Sequence, residues 1–307
     1  MERRISRRMF LKMGLGGFAA GVTALISGTA YATRVEPGWI EVTEVDIPLA
    51  GLPQECVGLT ITQLSDFHLG PQVKVEQVRR SVEMANNLGG DLVVLTGDYV
   101  SRSAHYSERC AAELARLRAK HGVHAILGNH DFWTDAEVVT ENLRAVGINL
   151  LRNQHQALNV GGARLWLLGI DDIWVWKDDL PAALAGLPSQ ERRILLVHNP
   201  DFAETMPEGE VDLVLAGHTH GGQVRLPLLG APVHPSVYGP KYVAGLAYAG
   251  NTPVYTNRGI GLISPAVRFL CRPEITLIRL TRGPVGKAPT TTKIPGKGTN
   301  ASRTDQG

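Results

Sequence analysis

The chain has few of the features that mark several other classes of protein. Only 3 of its 307 residues are cysteines, and Cys56, Cys110 and Cys271 stand in no C-x-x-C or other metal-type spacing. A disulfide framework and a thiolate zinc site are therefore excluded, whereas one Cys56–Cys271 disulfide or three buried free thiols both fit. Aromatic residues make up only 6%, and no repeat of fixed period stands out. An apolar content of 44% is that of an ordinary globular protein.

The chain also lacks a strong excess of charge. Its net charge is +2, and residues 1–32 contain four Arg, one Lys and one Glu, or +4, so the remainder carries −2. A body with this balance offers no basic surface for a phosphate backbone. The sequence therefore predicts no nucleic-acid partner.

Residues 1–32 have the organisation of a twin-arginine signal peptide. The string Ser-Arg-Arg-Met-Phe-Leu-Lys at 6–12 resembles the signal by which bacteria export folded proteins. The uncharged stretch 13–32 follows and ends in Ala-Tyr-Ala, a pattern typical of signal-peptidase cleavage before Thr33. Cleavage and retention as a membrane anchor both remain open, because the stretch is long enough to span but contains five glycines. Either outcome implies the twin-arginine export machinery as partner and a location in the periplasm or on the outer face of the cytoplasmic membrane.

Beyond the signal, the spacing of apolar residues predicts an α/β fold. Five apolar runs are long enough for buried strands, at 59–64, 92–96, 123–127, 194–197 and 213–216. Helical spacing occurs between the early runs, at 75–88, 107–120 and 135–146, the last with Thr134 as N-cap. Strands that alternate with helices of this length indicate crossover connections.

Other segments show a different pattern. Residues 156–169 and 224–280 have strand-like runs joined by Gly and Pro turns, which predict hairpins and a mixed or second sheet. Alternating residues at 39–49 indicate a strand within an N-terminal segment, 33–57. The main domain is then 58–282, and the Thr-, Gly-, Lys- and Pro-rich residues 283–307 are expected to form a disordered tail.

Each of the five apolar runs ends at side chains that can bind a metal ion. They are Asp66 with His68, Asp98, Asn129, His198, and His218 with His220. One such residue alone is more often a turn or cap, but five strand ends are expected to meet at one edge of an α/β sheet. If strand conformation continued, Asp66 and His68 would project on the same side. Seven ligands exceed the needs of one ion, and a set without thiolate suits two divalent ions of Mn, Fe, Co or Zn.

In this order the residues resemble the blocks of the calcineurin-like metallophosphoesterases. The blocks D-x-H, G-D, G-N-H-D, H and G-H-x-H correspond to 66–68, 97–98, 128–131, 198 and 217–220. The resemblance covers roughly 59–280, and the strings 198–201 and 217–223 resemble a bacterial branch with twin-arginine-exported phosphoesterases and UDP-diacylglucosamine pyrophosphatase-like proteins. It implies a four-layer αββα sandwich of two mixed sheets flanked by helices.

The resemblance also implies a role for each residue. Asp66, His68 and His220 would hold the first ion, Asn129, His198 and His218 the second, and Asp98 would bridge them. His130 would not be a ligand; oriented by Asp131, it would protonate or stabilise the leaving oxygen. Two ions would activate a bridging water for attack on phosphorus. Many members carry an Asp where Ser101 stands here, a difference that concerns the substrate rather than the metal.

The expected function is therefore hydrolysis of phosphodiester or pyrophosphate bonds, on cell-envelope or lipid-linked substrates. The alternatives are a broad phosphomonoesterase that scavenges phosphate and a non-catalytic metal-binding surface protein, although metal binding alone would need neither His130 nor Asp131. The loop 223–252 is expected to border the pocket, and Arg258 is a candidate for contact with a phosphate. The remaining histidines are assigned structural roles: His105, His121, His124, His155 and His234. The sequence predicts neither the natural substrate nor an oligomeric state.

Overall fold

A computed structural model describes residues 7–284 and 291–294. The first arginine pair of the signal, Arg3 and Arg4, lies outside the described residues. Helix α1 spans Arg7–Ala30 and continues through a further turn at Tyr31–Val35. The helical segment Arg7–Gly38 is long and apolar enough to cross a membrane, with a mean hydropathy of 1.6 over its most apolar 18 residues, a test that signal sequences also pass.

The body contains two β-sheets. The strands in the described residues are β1 (Glu41–Leu49), β2 (Thr60–Leu64), β3 (Leu92–Leu95), β4 (Val123–Ala125), β5 (Asn149–Leu150), β6 (Gln154–Val160), β7 (Ala163–Gly169), β8 (Arg192–Leu196), β9 (Leu213–Ala216), β10 (Gly245–Ala249), β11 (Thr252–Thr256), β12 (Glu274–Arg282) and β13 (Thr291–Ile294). The first sheet has seven strands in the order β13-β1-β12-β2-β3-β4-β5, and the second has six in the order β10-β11-β9-β8-β7-β6. Both sheets mix parallel and antiparallel pairs, as predicted.

Helices cover the outer faces of the two sheets. Those after α1 are α2 (Val75–Leu88), α3 (Ser107–Leu114), α4 (Asn129–Thr134), α5 (Ala136–Ala145) and α6 (Leu180–Leu184). Helices α2, α3 and α5 bury apolar side chains against the first sheet, while α6 and the turn Pro200–Glu204 do so against the second. The four-layer sandwich is therefore confirmed.

The inner strands bury both faces, which explains why their sequences are apolar runs rather than alternating patterns. In β3, Leu92 and Val94 face the core between the sheets, whereas Val93 and Leu95 face the helices. Strand β9 does the same from the other sheet, with Leu213 and Leu215 in the shared core. The parallel strands hold their carboxyl ends at one edge, and this edge carries the predicted ligands.

Several local predictions need correction. Helix α5 has Asp135 as its N-cap, because the Asp135 carboxylate accepts the N–H of Val138, while the hydroxyl of Thr134 donates to the carbonyl of Asp131. Helix α3 ends at Leu114 rather than near residue 120. The three cysteines are buried and free, so the Cys56–Cys271 disulfide is absent.

The C-terminal region also differs from the expected tail. Strand β13 pairs antiparallel with β1 inside the region predicted to be disordered. Without β13, β1 would be an edge strand with unpaired backbone N–H and C=O groups. A short polar segment that pairs with β1 satisfies these groups. Residues 285–290 and 295–307 lie outside the described residues.

Candidate metal centre

The seven predicted ligands meet at the carboxyl edge of the strands. Their chain positions follow β2, β3, β8 and β9, and Asn129 opens α4. None of the seven is more than 6% exposed: Asp66, His68, Asp98, Asn129, His198, His218 and His220. Polar side chains at this depth require partners, which is the first sign that the cluster is built for a ligand.

The backbone at five of the ligands is left-handed. The φ angles are 52° at Asp66, 48° at His68, 59° at Asp98, 71° at His218 and 52° at His220. Such angles are uncommon outside glycine and cost about 1–2 kcal/mol each. The chain therefore leaves the strand conformation at these five residues, so the condition under which Asp66 and His68 would project on the same side of a strand is not met.

Glycines allow the loops to come this close. A Cβ on Gly217 would overlap Oγ of Ser65 and Oδ2 of Asp66. A Cβ on Gly97, where φ is 95°, would lie 2.6 Å from the backbone nitrogen of Gly128. The absence of a side chain at these positions is thus a condition for the ligand geometry.

The candidate ligand atoms form three overlapping groups, and the third joins His68, Asp98 and His130. In the first, one atom each of Asp66, His68 and His220 lies within 4.8 Å of the others, and Nε2 of His68 is 3.0 Å from Nε2 of His220. Two imidazole nitrogens at this distance must share a proton or a cation. The second group contains Asp66, Asp98 and His198. Nδ1 of His198 bonds to the carbonyl of Thr96 at 2.7 Å, and this leaves its Nε2 facing the carboxylates.

The other two predicted ligands carry buried atoms without partners. Oδ1 of Asn129 and Nε2 of His218 have no hydrogen-bond partner among the described residues. An unsatisfied buried polar atom costs about 1–3 kcal/mol, a cost that an ion would remove. The rings of His198 and His218 lie 5.0 Å apart. The seven side chains fit a divalent-metal centre, and their individual roles as ligands remain predictions.

The electrostatics of the cluster differ among its members: burial lowers the pKa of His198, but the carboxylate of Asp98 outweighs it and raises this pKa well above its usual value. Burial alone would raise the pKa of Asp98, but His198 and His68 hold this pKa well below its usual value. The pKa of Asp66 is lowered in the same way, chiefly by His220 against the effect of burial. Burial lowers the pKa of His218 to about 3. Ionised carboxylates and a neutral imidazole are the forms that bind metal.

His130 borders the same cluster, but its predicted partner is different. Nδ1 of His130 lies 2.9 Å from the carbonyl oxygen of Ser101, to which it donates, and the His130 N–H bonds to Oδ1 of Asp98. The prediction that Asp131 orients His130 is therefore wrong. The sequence carried no signal for a backbone carbonyl as partner.

Asp131 instead holds the backbone that carries the ligands. Its carboxylate accepts the N–H groups of Asp98, Tyr99 and Gly128 at 2.9 Å each. Burial, followed by the charge of Asp98, raises the pKa of Asp131, and the bonds from Gly128 and Tyr99 oppose this shift. Asp131 therefore fixes the loop after β3 relative to the start of α4.

Arg258 does not face the cluster. Its guanidinium lies 2.7 Å from a carboxylate oxygen of Glu41 and 3.0 Å from one of Glu274, and the residue is only 6% exposed. Glu41 and Glu274 are partners in the register of β1 and β12, so the two strands present a pair of carboxylates to one cation. The predicted contact with a phosphate is wrong because this pair already neutralises Arg258.

A cavity of about 580 Å³ opens beside the cluster. Asp98, Asn129, His130, His218 and His220 line its floor. Its walls are mostly apolar: Trp133, Trp174, Gly222, Gln223, Val224, Pro232, Val233, His234, Pro235, Ile263, Ser264, Pro265 and Val267, with Thr219. The prediction that the loop after Gln223 borders the pocket is confirmed.

Several wall residues were not predicted from the sequence, among them Trp133 and Trp174. Trp133 stands three residues after His130 on α4, a helical spacing that could have indicated it. Trp174 lies edge-on to His218 at 4.2 Å and stacks with Trp133 at 6.1 Å. His234, which had been assigned a structural role, also lines the cavity.

The fold and this cluster define a class, a metal-dependent hydrolase of phosphoric esters. The model of the calcineurin-like phosphoesterase family matches residues 59–222, and the chain belongs to that family. Over 282 residues it is 36% identical to the uncharacterized metallophosphoesterase YkuE of Bacillus subtilis, covering 91% of this chain and 98% of the relative.

Two further proteins resemble the chain, one in sequence and one, more weakly, in structure. The chain is 35% identical over 282 residues to the phosphodiesterase YaeI of Escherichia coli, covering 90% of this chain and 99% of the relative. Among solved structures, the NAD nucleotidase of Haemophilus influenzae matches with a TM-score of 0.46 and 19% identity, over 67% of this chain and 45% of that one.

Proposed function

We propose that the chain hydrolyses phosphodiester or pyrophosphate bonds with two divalent ions, of Mn, Fe, Co or Zn, held by the seven ligands. The observation that carries this proposal is the position of Asp98. Its Oδ2 lies 3.3 Å from Nε2 of His68, in the ligand group predicted for the first ion, and 3.1 Å from Nε2 of His198, in the group predicted for the second. One carboxylate between two such groups is the arrangement that a bridging ligand requires. When bound, the two ions supply an activated water and neutralise charge on the phosphoryl oxygens.

His130 would act on the leaving group. Because Nδ1 donates to the carbonyl of Ser101, the proton of the imidazolium that can be given up is the one on Nε2. His130 lines the cavity beside Asp98 and Asn129, so an ester oxygen bound there is within its range. The role as general acid then rests on His130 and Ser101 rather than on Asp131.

The cavity supports a diester over a monoester. Its lining contains no Lys or Arg among the described residues, whereas a monoester dianion is usually bound by such cations. The apolar walls offer room for a second ester group, and we infer that lipid-linked or other cell-envelope phosphates provide it. The relative named as a phosphodiesterase supports the same preference.

We also infer that the chain is exported by the twin-arginine machinery to the periplasm or the outer face of the cytoplasmic membrane, and that it belongs to the exported bacterial branch. The support is the motif at 6–12 with the strings at 198–201 and 217–223. Replacing Arg7 and Arg8 by Lys should leave the chain in the cytoplasm; normal export of this variant would contradict the inference.

The activity is tested with the full chain purified in mild detergent. Metal content is measured first, and hydrolysis of bis(p-nitrophenyl) phosphate is compared with that of p-nitrophenyl phosphate before and after chelation. We expect about two ions per chain and a preference for the diester that chelation abolishes. Preference for the monoester would indicate a phosphate-scavenging enzyme, and bound metal without hydrolysis would favour a non-catalytic protein.

A further inference from the structure

A short hairpin beside the cavity carries apolar side chains that are exposed to solvent. Leu226 and Gly230 pair across its base, and residues 226–230 are all exposed. Leu228 is 106% exposed and Leu229 is 77% exposed, while Val233 on the return is 77% exposed. Soluble surfaces rarely gather apolar side chains in this way unless a partner covers them.

The hairpin is joined to the end of helix α1. Val224 and Phe269 form a parallel bridge, and the ring of Phe269 meets the ring of Tyr31 edge-on at 6.4 Å. The N–H of Arg268 donates to the carbonyl of Ala32 at 2.9 Å. The segment after α1 is therefore bonded to residues 268–269, which pair with the chain at the base of the hairpin.

A further contact closes this connection. The carboxylate of Glu36, which is fully buried, accepts the N–H groups of Leu270 and Cys271. Leu270 itself is 52% exposed beside the base of the hairpin. We call Leu226, Leu228, Leu229 and Leu270 the docking face.

The surroundings of the docking face fit a bilayer. The most apolar window of the N-terminal helix has none of its residues buried in the protein and is long enough to span a membrane. Arg34 is exposed just after α1, and Arg225 stands at the base of the hairpin. Basic residues close to the end of a membrane-spanning helix are attracted to anionic lipid headgroups.

The contacts of Ala32 also bear on cleavage after this residue. The Ala-Tyr-Ala string lies in continuous helix, and Ala32 is bonded to the body through Arg268. Peptidases bind their substrates as extended strands, which this segment could become only by losing those contacts. A chain exported in folded form would present the site in this closed state.

We propose that α1 is retained as a membrane anchor and that the docking face lies in the bilayer surface beside it. Val224 and Val233 belong to both the hairpin and the cavity wall, so the mouth of the cavity opens toward the lipids. The hydrocarbon arm of a lipid phosphodiester then has a direct path along apolar side chains to the metal centre. This consequence for the substrate rests on the proposed function, whereas the docking does not.

The docking is tested on the full chain in vesicles of phosphatidylethanolamine and phosphatidylglycerol. An environment-sensitive dye is attached to Leu228→Cys and, as control, to Val57→Cys, which is 38% exposed near the start of β2, at the opposite edge. The three native cysteines are buried and should not react. Nitroxide-labelled lipids should quench the dye at position 228 severalfold more strongly than at position 57, and equal quenching would overturn the proposal. The chain isolated from membranes of the producing bacterium should have the mass that includes α1; a chain that starts at Thr33 would also overturn it.

The substrate consequence has a separate readout. Phosphatidyl-p-nitrophenol in the vesicles is compared with soluble bis(p-nitrophenyl) phosphate, since water adds to phosphorus and p-nitrophenol leaves in both. We expect the double variant Leu228→Ser, Leu229→Ser to lose about tenfold on the lipid ester and to stay within about twofold on the soluble ester, with Val57→Ser unchanged on both. Equal loss on both esters, or no loss on either, would refute the lipid path. If the unsubstituted chain hydrolyses neither ester, the proposed function fails while the quenching result still decides the docking.

Discussion

The seven candidate ligands at and beneath the floor of the cavity are buried, whereas at its rim apolar side chains such as Trp133, Val233 and Leu228 are exposed. Each region reverses the usual distribution of polar and apolar groups, and each reversal indicates a missing partner. The partner that we propose for the floor is a pair of cations, and the one that we propose for the rim is an apolar molecule or surface. This contrast separates the residues that the reaction requires from those that select the substrate. Substitutions at the floor should lower activity on every substrate, whereas substitutions at the rim should lower activity on only some.

The largest effect is expected for Asp98→Asn. The change removes charge from the position between the two ligand groups and should lower kcat/KM by at least about 10³-fold, because several kcal/mol of charge stabilisation is lost. Metal content and turnover of an aryl diester are measured together. Asp46→Asn, at a partly exposed salt bridge on β1, is the matched control. A variant that keeps both its ions and its activity would show that Asp98 is not the bridge.

His130→Ala should keep the metal ions but slow turnover. The loss of a general acid costs about 10²–10⁴-fold, most for alkyl esters, whose leaving oxygen is basic. The exposed His105 supplies the control as His105→Ala. Unchanged turnover of an alkyl diester by His130→Ala would remove this residue from the mechanism.

Gly217→Ala tests whether the floor depends on the missing Cβ. The new methyl group overlaps Ser65 and the carboxylate of Asp66, and a ligand displaced by about 1 Å should cost about 10²-fold in kcat. At Gly38 a Cβ would meet nothing within 4 Å, so Gly38→Ala should be silent. Circular dichroism distinguishes a local shift from unfolding, and wild-type kinetics for Gly217→Ala would contradict the proposed tight approach.

The smallest effect is expected at the rim. Trp133→Ala removes one ring of the stacked pair and should raise KM for an aryl diester up to about tenfold without changing metal content. Trp176, 90% exposed and absent from the cavity lining, provides the control as Trp176→Ala. A loss of metal from Trp133→Ala would mean that the rim and the floor are not separable.

The apolar runs and the ligand residues were predictable because both depend on local pattern. A strand buried on both faces must be apolar throughout, as β3 and β9 are, and its carboxyl end is the place where polar side chains can converge. The positive φ angles of His68 and His218 were not predictable, since only the surrounding loops hold these residues in such a conformation. The ends of helices were less predictable for the same reason. The choice between Thr134 and Asp135 as N-cap of α5 depended on which side chain faced the first turn of the helix.

The sequence by itself determined the seven candidate ligands, their order and the layered α/β architecture, because each follows from residue types at short spacing. Only the tertiary structure decided which partners the single charged and aromatic side chains contact. Arg258 is withdrawn from the cavity by Glu41, which lies 217 residues away, and His130 is held by a carbonyl at Ser101, 29 residues away. Trp133 meets Trp174 from another element in the same way. Contacts at such separations leave no trace in local spacing, since they form only when distant parts of the chain pack together.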